Sequence, residues 1–209
     1  MDRLGAASGV IGVIGNIAGV AVLGNLPSSY KPGAIRPWVR EVLAHPDAAA
    51  ISGVAFSIGL IGLAGWAVAL GRRVEDPRAR LGMGLIAAGA LNNAAGTTAP
   101  VVLAKHVAPA CESAAACEPA GIALLGTSLA LDSLFNLMLG GGLILTGVAM
   151  RSQPRWRRLA PLAITAGAAS TVVSGQVVSD TAAKLLTVAG PLWLAFVAWT
   201  SYRLARRTA

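Results

Sequence analysis

From Leu4 to Leu26 the chain carries no charged residue, and residues 48–71, 81–103 and 159–178 are equally free of charge. Residues 120–150 hold only Asp132, and residues 181–202 only Lys184. A helix needs roughly 20 predominantly apolar residues to cross hydrocarbon, so each of these runs has the length of a membrane span. Only 12% of the 209 residues are charged and 55% are hydrophobic, whereas soluble domains carry about 25% charged residues. The expectation is an all-α, polytopic integral membrane helical bundle of about six transmembrane helices, forming one transmembrane domain over residues 1–209, with the lipid bilayer as its solvent.

The charges that remain are gathered between the runs, and their distribution predicts orientation. Arg3, the arginines of the 72–80 and 151–158 loops, and Arg203, Arg206 and Arg207 fall on one side. Lys31, Arg36, Arg40 and Lys105 fall on the other, with Lys184 near a helix end. Basic residues accumulate in cytoplasmic loops, so both termini are expected in the cytoplasm of a bacterial-type cell membrane. Trp156, Trp199 and Tyr202 would then mark the inner interface, and Tyr30 and Trp38 the outer one. The net charge of +8 could suggest nucleic acid, but these basic clusters sit at span ends and no soluble domain presents a phosphate-binding surface, so no nucleic-acid partner is expected. The first run is longer than the 7 to 15 residues of a signal-peptide core, and is read as a retained helix.

Two outer loops carry features of their own. Residues 27–47 include Pro37–Ala44, where Trp38, Val42 and Leu43 recur at helical spacing behind an N-terminal proline, so a short helix lying on the membrane surface is expected there. Residues 104–119 contain Cys111 and Cys117, the only cysteines. An outer location permits oxidation, and a disulfide between them is expected.

Within the runs, Gly5, Gly9, Gly12, Asn16 and Gly19 form a stripe of small residues that predicts close helix packing, with Asn16 hydrogen bonding across it. Gly59, Gly62 and Gly65 invite the same interpretation. The fourth run is about 46 Å long if fully helical, so it must tilt, protrude or break, and Gly140-Gly141-Gly142 is the expected weak point.

Ser128, Asp132 and Asn136 are spaced by four and share a helix face. A carboxyl group in hydrocarbon costs several kcal/mol unless paired, hydrated or protonated, so Asp132 must face protein or water. Asn92 and Asn93, Thr97 and Thr98, and Ser170, Ser174 and Gln176 are its candidate companions in a small polar site. Asp180 and Lys184, an i, i+4 pair, are expected to form an interfacial ion pair. His45 and His106 lack metal-ligand spacing, and no phosphate-binding loop or nucleophile motif occurs, so neither a metal nor a cofactor is expected.

Three functions fit this pattern. The first is an accessory or assembly subunit whose glycine faces dock onto partner subunits or onto other copies in a homo-oligomer. The second is a permease-like or solute- or proton-binding protein using Asp132, Asn136, Ser128, Asn92 and Asn93. The third is a lipid- or quinone-linked membrane enzyme, for which Asp132 alone lies at a suitable depth, so the chain leans away from catalysis.

Overall fold

Hydroxyl and carboxylate caps define where the helices begin. In a computed structural model, which describes residues 2–23 and 34–206, the Ser113 and Ser179 hydroxyls accept the Ala116 and Ala182 N–H groups at the starts of two long helices, both at 3.3 Å. Asp76 does the same for Arg78 N–H at 2.8 Å. Such caps satisfy amides that have no partner within the first turn. The guanidinium and N–H of Arg78 also hold the Asp76 carboxyl below the usual carboxylate range.

The helices so delimited are α1 (Asp2–Leu23), α2 (Ile35–Ala44), α3 (Pro46–Gly71), α4 (Pro77–Gly96), α5 (Ala99–Val102), α6 (Ala114–Arg151), α7 (Ala160–Val173) and α8 (Asp180–Ala205). The single turn of α5 continues as a π turn at Leu103–Val107 and a 3-10 turn at Ala108–Ala110, and 3-10 turns at Arg157–Leu159 and Ser174–Val177 flank α7. No strand occurs among the described residues. Successive long helices pack side by side: α1 on α3, α3 on α4, α4 on α6, α6 on α7 and α7 on α8, and α8 returns to α1 to close a ring of six.

Four of the ring helices contain segments long and apolar enough to cross a membrane: Arg3–Val22, Pro46–Gly71, Ala114–Arg151 and Lys184–Ala205. The runs at 81–103 and 159–178 are divided instead. The Thr97 and Thr98 hydroxyls donate back to the Ala94 and Ala95 carbonyls, and Pro100 has no N–H to extend the ladder, so α4 stops at Gly96. α7 has only 14 residues, about 21 Å of helix.

Of the three outcomes expected for the fourth run, a break at the glycines does not occur: helix α6 runs for 38 residues through Gly140-Gly141-Gly142. Gly140 and Gly142 lie against neighbouring backbone on two sides, which supports the helix there. A Cβ on Gly140 would come 2.7 Å from the Gly167 carbonyl oxygen of α7, and one on Gly142 2.4 Å from the Gly82 carbonyl oxygen of α4.

The stripe of α1 is similarly filled. Gly5, Gly9, Gly12 and Gly19 lie against Ala69, Trp66, Leu63 and Phe56 of α3, with Gly9 also meeting Ser201 of α8. The Asn16 amide donates to the Gly12 carbonyl of its own helix at 2.8 Å, and the bond across the seam is Ser52 Oγ to the Gly19 carbonyl at 3.0 Å.

The main core lies inside the ring, where Trp66 and Phe196 meet edge to face at 5.9 Å and the Trp66 indole donates to Thr200 Oγ1 at 3.0 Å. Of the three aromatics expected at the inner interface, Trp156 is packed into this core at 1% exposure, whereas Trp199 and Tyr202 are exposed. At the other end α2 lies over the bundle with one face covered and one open: Val39 and Val42 are fully buried among Ala49, Leu103 and Leu125, whereas Arg36 and Arg40 are exposed. Arg36 and Arg40 hold Glu118 of α6 at 3.4 and 3.6 Å, and Lys105 pairs with Asp47. Cys111 and Cys117 are at disulfide distance, 2.06 Å between sulfurs.

These contacts separate the glycines sharply. A Cβ on Gly15 would lie 2.6 Å from the Gly59 Cα, whereas one on Gly141 meets nothing within 4 Å. Gly15→Ala should therefore lower unfolding stability in mild detergent by about 1–3 kcal/mol through overpacking. Gly141→Ala should leave it unchanged or raise it by up to about 1 kcal/mol; equal losses in both variants would contradict the packing described.

Candidate functional site

Asp132 lies near the middle of α6, so its carboxyl can be reached only by residues that neighbouring elements bring to that level. Asn93 Nδ2 of α4 donates to Asp132 Oδ1 at 2.9 Å. Gln176 Nε2, in the 3-10 turn after α7, donates to Oδ2 at 2.6 Å. Asn136 Nδ2, one turn along α6, donates to Oδ2 at 3.2 Å and to the Asp132 backbone carbonyl at 2.9 Å. Three amides from three elements thus converge on one carboxyl group.

Local structure explains each placement. Spacing of four puts Asn136 on the face of Asp132. Asn93 shares the side of α4 that carries Gly82, Gly89 and Gly96, all of which pack against α6. Gln176 arrives because α7 ends at Val173 and the chain tightens into Ser174–Val177, with Ser174 Oγ turned back onto the Thr171 carbonyl at 2.6 Å.

On the side toward α2 Asp132 borders a crevice of about 50 Å³. The volume corresponds to roughly three or four waters. Trp38 and Val42 of α2, Ala49, Ser52, Gly53 and Phe56 of α3, Asn93, Thr97 and Pro100, and Ser128, Leu129 and Asp132 of α6 form its walls. The Thr97 hydroxyl is in turn bonded to Ser57 Oγ at 2.8 Å. Among the described residues, the buried polar atoms without a hydrogen-bond partner include Asn93 Oδ1 and Gln176 Oε1, on two of the amides that bond Asp132, as well as Ser133 Oγ and Ser170 Oγ. Buried polar atoms are nearly always paired, so each one calls for an explanation.

Of the residues singled out in the sequence, the structure brings Asp132, Asn136, Asn93 and Ser128 to this crevice or its floor, whereas Asn92 is exposed on another side of α4. Sequence reasoning did not reach the walls contributed by Trp38, Ser52 and Phe56. The amphipathic pattern of α2 was the available signal for Trp38, because a helix with one apolar side must cover something. Lys184 is exposed, and the Asp180 side chain of the expected pair lies outside the described residues.

Among the described residues no group of three His, Cys, Asp or Glu side chains could hold a metal ion, and no salt bridge reaches Asp132. The arrangement can therefore accept hydrogen bonds from a small visitor, while its amides keep the carboxyl oriented. No family model, curated protein or solved structure matches the chain.

A hydrogen bond to a carboxylate contributes about 1.5–3 kcal/mol. Gln176→Leu and Asn93→Leu should each lower thermal or denaturant stability in detergent by an amount of that order, and Asn92→Leu by little. A Gln176→Leu protein as stable as wild type would show that the convergence on Asp132 has no energetic weight.

Proposed function

We propose that this chain is a multi-pass protein of the cytoplasmic membrane, with six spans and both termini inside, that binds a small hydrogen-bond-donating solute in the crevice over Asp132, in the manner of a permease. The observation that carries the proposal is the crevice itself, bordered by a carboxyl group that three amides orient and that no salt bridge neutralises among the described residues.

Six spans are supported by the ring, in which α4 and α7 occupy the same kind of place as the four long helices. The turns flanking α7 extend its helical path to Arg157–Val177. The orientation is supported by the gathering of arginines at 72–80 and 151–158, at the end of the bundle opposite α2 and the two cysteines. The crevice then faces outward.

An assembly role drew its support from the glycine faces. Those of α1 and α3 lie against each other within one chain, which favours solute binding over docking onto a partner subunit. An enzymatic role on a lipid or quinone would ask for several acidic, histidine or cysteine groups at one depth, and Asp132 stands alone there.

Two measurements test the proposal. In a thermal-stability screen of the purified protein against small amines, amides and polyols, at least one solute should raise the Tm of wild type and leave Asp132→Asn unmoved. A screen in which no solute acts, or acts equally on both proteins, overturns the binding role. For topology, a membrane-impermeant maleimide should label Cys111 and Cys117 in intact cells after mild reduction. Labelling that requires permeabilised cells reverses the orientation.

A further inference from the structure

Resting on that binding role, we infer that the crevice takes a small alkylammonium ion, the protonated form of a primary or secondary amine. The floor offers acceptors short of a donor. An ionised carboxylate has about four lone-pair sites, and the amides of Asn93, Asn136 and Gln176 occupy three. Asn93 lines the crevice, is only 3% exposed, and its Oδ1 has no partner. A visitor carrying two or three N–H groups can serve both residues, and one carrying a positive charge also answers a carboxylate that amides orient without neutralising. At the effective dielectric of a protein interior that Coulomb term is several times larger than in bulk water.

The walls decide between kinds of cation. A bare alkali or alkaline-earth ion needs about six or more oxygen ligands in place of its hydration shell. Here Ser52, Asn93, Thr97, Ser128 and Asp132 carry the side-chain oxygens, whereas Val42, Ala49, Gly53, Phe56, Leu129 and Pro100 carry none. Such walls are suited to methyl or methylene groups, whose removal from water is favourable. Trp38 and Phe56 add two aromatic side chains, and aromatic faces attract ammonium groups. Volume sets the upper limit: space for roughly three or four waters admits methylammonium or dimethylammonium but no long chain. An ammonium group can form an ion pair with the Asp132 carboxyl, which neither an anion nor an uncharged solute can.

The experiment is a thermal-shift titration of the full chain in mild detergent with methylammonium and dimethylammonium chloride. Sodium chloride at matched ionic strength and isopropanol, an uncharged molecule of similar size, are the comparisons. The ammonium salts should raise Tm by about 3 °C or more near saturation, with sodium and isopropanol inactive. The shift should vanish in Asp132→Asn. In Trp38→Leu, half-maximal effect should require about tenfold more ligand, and in Asn92→Leu the wild-type concentration. The selectivity series on wild type stands even where a variant fails to fold. Sodium acting as well as the amines, or isopropanol acting in their place, overturns the alkylammonium assignment and leaves solute binding at Asp132 intact. An ammonium shift of equal size in a folded Asp132→Asn, or silence from every solute, overturns both.

Discussion

Gly15 and Gly59 meet almost backbone to backbone, and the ring is closed through that seam. A Cβ on Gly59 would lie 2.8 Å from the Asn16 backbone nitrogen, and one on Gly62 2.7 Å from the Gly12 nitrogen. α1 has only α3 and α8 as ring neighbours, so its hold on α3 fixes where α8 can return. In the proposed lipid setting this matters more than in water. Apolar side chains gain little by leaving lipid tails for one another, and helices associate through close van der Waals approach. The same device recurs at Gly82 on Gly142 and at Gly140 on Gly167, which clamps α6 between α4 and α7.

Clamping α6 on two sides is what makes a polar site affordable in its middle. Gly140 and Gly142 lie eight and ten residues beyond Asp132, toward the end of the helix that carries Arg151. There the neighbours sit on backbone, with no room for a cavity. At the level of Asp132 the contacts change from glycine to side chains, and Asn93 and Gln176 fill the space from either flank. Farther outward the gap between α3, α4 and α6 is covered by Trp38 and Val42 of α2. The ion pairs of Arg36 and Arg40 with Glu118 tie α2 to α6 at that end. The crevice is thus what remains between helices that are close at one end and covered by a wedge at the other.

Charge-free runs made α1, α3, α6 and α8 legible in the sequence, because hydropathy alone defines a helix long enough to cross a membrane. The ends of α4 and α7 were not legible that way. They depend on Thr98 and Ser174 hydroxyls returning to nearby carbonyls, local hydrogen bonding that an apolar average does not register. Within the site, spacing of four related Asp132 to Asn136. Choosing between Asn92 and Asn93 required the rotation of α4 about its axis, since adjacent residues on a helix point about 100° apart. That rotation was in fact encoded. Gly82, Gly89 and Gly96 stand seven apart, and Asn93 lies four residues after one of them and three before another, on the side that meets α6. Gln176 was one of three polar candidates on the fifth run, and choosing it over Ser170 and Ser174 had no comparable signal, because its position depends on α7 ending after 14 residues.

The choice of amides around Asp132 has a consequence that a basic partner would not have had. A lysine or arginine at the position of Gln176 would have formed a buried ion pair, with the charge answered permanently and the crevice closed to cations. Asn93, Asn136 and Gln176 instead supply hydrogen bonds that hold the carboxyl in one orientation. They carry no net charge, so among the described residues no cation answers the carboxyl. Each amide also brings an acceptor of its own, and two of these, Asn93 Oδ1 and Gln176 Oε1, are buried without partners. A site purely for stability would be expected to pair these atoms or replace them with apolar groups. Those acceptors around an oriented carboxyl, of which Asn93 also lines the crevice, are what the proposed binding of a donor from outside rests on.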